Sequence, residues 1–153
     1  MVKDQLPRSS RQSAFFQQNL VRTYYYNCPI VRTVATEELC KRQQKFFDRL
    51  HNTPYLELVL GRLQKKSNGT YQEKGVDVKL ALHMLHKAYR NQYDVAILSS
   101  GDADLVEVVQ AVKDTGKHVE LAYFPNQKCY HLKNAADRLI LLTPDFIKDC
   151  WAT

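Results

Sequence analysis

Four apolar residues in a row, Val95-Ala96-Ile97-Leu98, stop at Ser99-Ser100-Gly101 and give way to a helical pattern that carries Leu105, Val108, Val109 and Val112 on one face. Gly116 stands where a helix needs a left-handed residue to end, and VELAYF resumes as a strand just after it. A strand, a helix and a second strand in immediate succession make the two strands parallel, because the helical crossover returns the chain to its starting end. Strands covered on both faces read as unbroken apolar runs, and the VAIL run has the look of a central parallel strand. This unit alone commits the chain to the α/β class.

The rest of the chain repeats the alternation. RTYYY, from Arg22, has the aromatic and β-branched content of a strand and is ended by Asn27, Cys28 and Pro29. Thr36-Glu37-Glu38 supplies a cap and first-turn acids for a helix to about Leu50, with Leu39, Gln43, Phe46, Phe47 and Leu50 inward. YLELVLGRL alternates as the next strand and is expected to run into an exposed basic loop, QKKSNGTYQEKG. Val76, Leu80, Met84, Leu85 and Ala88 mark a second helix; RLILL is a last strand, preceded by a short helical segment around Leu132–Ala136, and Thr143-Pro144-Asp145 opens a final helix. The expected architecture is a three-layer α/β/α sandwich with a mainly parallel sheet. At 153 residues the chain has the length of one domain, given about 100–200 residues per domain. Residues 1–21 stand apart as a polar, basic segment interrupted only by Ala14, Phe15 and Phe16, a short helix or an arm.

Several function classes fall away. No apolar run approaches the roughly 18 residues that cross a bilayer, and MVKDQLPRSSRQ is not a secretory leader, so a cytoplasmic protein without membrane contact is expected. Cys28, Cys40, Cys129 and Cys150 are too widely spaced for a zinc knuckle or a dithiol motif and read as structural thiols. Neither G-x-G-x-x-G nor a phosphate loop ending in G-K-[ST] occurs, and Ser99-Ser100 lacks the G-x-S-x-G elbow of a serine hydrolase. His83 and His86 are three apart on a helix without a third ligand, which favours packing or a hydrogen bond for His83 over zinc. The strand-end D-x-D follows at least two strands, where aspartyl phosphatases carry their nucleophile on the first. Tyr24, Tyr25 and Tyr26 must point to both faces of their strand, so they suit its packing better than base stacking.

What remains is acidic and basic. Lys and Arg number 22 against 16 for Asp and Glu, and the whole excess precedes Gly75, which points to a polyanionic partner. In open parallel sheets ligands gather beyond the C-terminal strand ends, where Ser99-Ser100-Gly101-Asp102-Ala103-Asp104 falls. Two carboxylates there either cap the next helix or hold a hard cation. Asp77 has the same two readings at its own helix start, and on one sheet edge the three would form an acidic cluster that calls for a divalent metal.

EKGVDVKLALHML, YDVAILSSGDADLVEVVQAVKDTGKHVELAYF and NAADRLILL, in that order and spacing, resemble the NYN domain, the LabA-like branch of the PIN-like nucleases, over about residues 22–142. The resemblance implies a PIN-like, Rossmann-like fold and metal-dependent cleavage of RNA, most naturally single-stranded. By position Asp77 matches the aspartate of K-G-V-D, and Asp102 and Asp104 match the two of S-G-D-x-D. These three would be the catalytic metal ligands for Mg²⁺ or Mn²⁺, with Lys74, Lys79, Arg62, Lys65 and Lys66 guiding the backbone phosphates.

Two positions depart from that pattern. Relatives open with an apolar strand ending in aspartate at the sheet centre, and here neither Asp4 nor Gln18-Asn19-Leu20 replaces it. Many also carry an aspartate where this chain has His83, and imidazole is a poor ligand for Mg²⁺. The departures make a catalytically impaired RNA-binding or regulatory module the alternative, and an unfilled sheet position would favour a homodimer.

Overall fold

The computed structural model describes residues 19–148. Asp4, which the sequence does not support as a first-strand aspartate, the apolar interruption at Phe15 and the thiol of Cys150 lie outside the described residues.

Strand β1, Thr23–Asn27, pairs in parallel with β2, Leu56–Leu60, in the register Thr23 to Leu56. Helix α1, Glu37–His51, makes the crossover between them. Its start differs in detail from the expectation: Thr33 caps a 3-10 turn at Val34–Thr36 through a reciprocal capping box with Thr36, so the hydroxyl of Thr36 is engaged before α1 begins. Gln43, polar on the inward face, is explained by its two hydrogen bonds to the turn after β1: it donates to the Cys28 carbonyl at 3.1 Å and accepts from Ile30 N–H at 2.8 Å.

The expected long strand and basic loop resolve differently. The chain breaks at Gly61, where a Cβ would stand 2.5 Å from Val76 Cγ2 and 3.0 Å from the Lys74 carbonyl oxygen. After it, β3 (Arg62–Lys65) and β4 (Tyr71–Lys74) form an antiparallel hairpin closed by Asn68-Gly69, with Gly69 at φ +80°. Helix α2, Val76–Tyr89, then leads to a three-stranded parallel sheet of β5 (Val95–Leu98), β6 (His118–Tyr123) and β7 (Arg138–Leu141). Its crossovers are α3, Val106–Asp114, and the short α4, Tyr130–Ala135. Gly116 takes φ +82° just past α3, and Thr143 caps α5 (Pro144–Ile147) by accepting from Phe146 N–H, both as the sequence predicts.

The parallel strands form two blocks, β1-β2 and β5-β6-β7, with no ladder joining them among the described residues. Helix α2 ties the blocks together. Its His83 meets β1, Nδ1 standing 3.0 Å from the Tyr26 hydroxyl, while Leu80, Ala81, Met84 and Leu85 pack on the core around Leu98, Val109, Val112, Val119, Leu121 and Leu132. Among the described residues β5 is an edge strand paired only with β6, and Ile97 on it is 57% exposed, so one face of this apolar run is left uncovered by them.

Candidate acidic edge and nucleic-acid interface

A helix joined to a strand by a short turn runs antiparallel to it, so the N-terminus of α2 and the C-terminal end of β5 lie at the same end of the molecule. At that end the first turn of α2 also adjoins the C-terminal end of β2, since Lys79 donates from Nζ to the Leu60 carbonyl at 2.6 Å. The topology therefore brings Asp77 to the same edge as Asp102 and Asp104.

Each aspartate is set by its local structure. Asp102, half-buried just beyond β5, caps the 3-10 turn Ala103–Leu105 by accepting from Asp104 N–H at 3.0 Å, and its own N–H donates to Ser100 Oγ at 3.1 Å. Asp104 is exposed on that turn, and Asp77 is exposed in the first turn of α2. The three share an edge but not a centre: among the described residues, no three His, Cys, Asp or Glu side chains are gathered as a metal-ligating group. Carboxylate oxygens are the donors a hard cation such as Mg²⁺ takes, so the chemistry suits the ion while the assembled geometry does not provide a ready site.

His83 is surrounded by aromatic rings. It lies 6.2 Å from the Tyr24 ring and 5.8 Å from that of Tyr26, and Lys87 reaches over Tyr24 at 4.7 Å. Burial, followed by neighbouring Tyr24, pushes the Tyr26 hydroxyl up to about 12, so it remains protonated beside His83. Tyr25 points to the opposite face and meets Phe46 edge-on at 5.5 Å, which accounts for three consecutive tyrosines as strand packing.

The basic residues divide. Arg62, Lys65, Lys66 and Lys74 are exposed on the β3-β4 hairpin, and none has an ion-pair partner among the described residues. Arg62 stands directly opposite Lys74 in the ladder, a like-charge pairing that costs stability. Lys79 differs, because its ammonium is held on the end of β2.

Asp137, which precedes β7 in the A-A-D motif, proves to be an anchor. It accepts from Val119 N–H at 2.8 Å and pairs with Lys113 at 3.0 Å. These interactions, led by the backbone hydrogen bond, hold its carboxyl below the ordinary aspartate range. A cleft beside the Asp102 turn, lined from the other side by residues 127–133, was not anticipated. Its signal in the sequence is the interleaving of Lys128, Tyr130, His131 and Lys133.

The NYN domain profile matches residues 4–143, nearly the whole chain and further toward the N-terminus than the motifs alone reach. The chain belongs to the NYN domain family. This NYN domain is 25% identical over 135 residues to the Low amplitude and bright protein LabA of Synechococcus elongatus, an alignment covering 82% of this chain and 72% of LabA. Its fold matches the crystal structure of a Vibrio parahaemolyticus protein of unknown function with a TM-score of 0.65 and 21% identity, over 88% of this chain and 76% of that one. Parallel strands flanked by helices make the NYN domain a PIN-like α/β structure, and no helix among the described residues is long and apolar enough to cross a membrane.

Proposed function

We propose that this NYN domain is a ribonuclease acting on single-stranded RNA. Asp77, Asp102 and Asp104 form its reacting edge, Arg62, Lys65, Lys66 and Lys74 hold the backbone phosphates, and Mg²⁺ or Mn²⁺ is the ion its oxygen donors would take. The observation that carries this reading is the juxtaposition, at one end of an NYN fold, of three aspartates and a hairpin whose exposed cations have no ion-pair partner among the described residues. Such cations bind a polyanion through counterion release, without regard to sequence. Among the described residues no three ligating side chains are gathered into a metal-binding group.

A second reading is favoured by that same lack, together with the use of Asp102 as a turn cap and of His83 as a partner of Tyr26. On it, the domain binds RNA without cutting it.

Cleavage of end-labelled single-stranded RNA in Mg²⁺ or Mn²⁺ separates the two. The ribonuclease reading expects cutting that EDTA stops and that Asp102→Asn reduces to the chelated background, while the variant stays folded because asparagine caps as well as aspartate. RNA binding without cutting at any metal concentration would replace it with the binding-module reading.

A further inference from the structure

The cleft beside the acidic edge is an open surface groove of about 480 Å³. Gly101 and Ala103 form one wall and residues 127–133 the other. The two loops touch, since a Cβ on Gly101 would lie 3.1 Å from the Lys128 carbonyl oxygen, which places the opening next to Asp102. Cys129 and Leu132, 3% and 1% exposed, anchor the second wall in the core.

The side chains around these anchors turn outward. Tyr130 is 72% exposed and meets the His131 ring edge-on at 5.5 Å, and Lys133 is held with Nζ 3.8 Å from the centre of the Tyr123 ring. Among the described residues no carboxylate pairs with Lys128 or Lys133, so the cleft carries two ammonium groups beside an acidic turn. An exposed ring flanked by two lysines without a carboxylate partner among the described residues presents a stacking face and phosphate partners together, the combination that holds an unstacked nucleotide. We propose that this cleft is a nucleotide subsite for single-stranded RNA, one base stacking on Tyr130 while Lys128, His131 and Lys133 face the adjoining phosphates. The inference rests on the RNA reading above and extends it to a surface outside the hairpin and the three aspartates.

The test is equilibrium binding, by fluorescence anisotropy, of a labelled oligouridylate and of the same backbone made abasic, to the wild-type chain and to Tyr130→Ala, Tyr130→Phe and Lys128→Gln. The wild type should bind the base-bearing strand more tightly than the abasic one. Tyr130→Ala should weaken oligouridylate binding by about fivefold to a hundredfold, the span measured for single base-stacking interactions. Tyr130→Phe should restore it, and the abasic strand should not feel the change; Lys128→Gln should weaken both strands alike. Equal wild-type affinity for the two strands, or an unchanged affinity in Tyr130→Ala, would overturn the subsite and leave the RNA reading standing. No binding of either strand by the wild type would overturn the RNA reading, and the subsite with it.

Discussion

Asp102 shows how one side chain serves two readings. Its carboxylate satisfies the Asp104 N–H, an orphan donor at the start of a turn, and asparagine can do the same while alanine cannot. Asp102→Ala is therefore expected to cost about 0.5–2 kcal/mol of stability and Asp102→Asn very little, measured by urea denaturation. Asp137 makes a pH prediction. Its carboxyl is lowered in the folded state, so its stabilising contribution is present above the unfolded aspartate value near about 4 and is lost as pH falls through the folded value. Asp137→Asn should lower stability at neutral pH and flatten the acid limb of the stability profile; an unchanged acid limb would mean that Asp137 does not govern it. The role of Asp102 as a cap or a ligand was open in the sequence because both uses need an acid at a helix start. Asp137 was legible only as part of a motif, since its partner Val119 lies eighteen positions away and is met through the fold.

Among the elements, the β3-β4 hairpin departs furthest from the sequence reading. Its strands are polar on nearly every position, so the period of two that reveals a half-buried strand is absent; only Asn68-Gly69 marks the turn. The helices were plainer, because α2 and α3 each present an apolar face to a core and α3 ends on a glycine that takes positive φ. The hairpin also carries a prediction with two parts. Lys74→Glu should relieve the opposition to Arg62 and leave the fold at least as stable. Replacing Lys65 and Lys66 together by glutamine should weaken RNA binding and reduce the slope of log K against log salt by about 0.7 for each phosphate no longer neutralised. A slope unmoved by the double replacement would mean that RNA does not follow the hairpin.

For the whole molecule, parallel α/β architecture followed from the alternation of elements, and the order of strands within each block is that of successive crossovers. What the alternation does not encode is continuity of the sheet. Hydrogen bonding between distant strands leaves no local trace, so the lack of a ladder between β1-β2 and β5-β6-β7 among the described residues, like the exposure of Ile97, emerges only from the structure. Helix α2 contacts both blocks, through His83 toward β1 and through Met84 and Leu85 toward the main core. Leu121→Ala, at 1% exposure in that core, should cost about 2–5 kcal/mol in chemical denaturation. Function on the scale of the whole domain turns on one proposal, that RNA runs along its cationic surfaces beside three aspartates. The most direct measurement is the affinity of the folded wild-type chain for labelled single-stranded RNA across a salt series. Binding that weakens linearly in log salt is the expected result, and a folded protein that binds no RNA even at low salt would contradict the proposal.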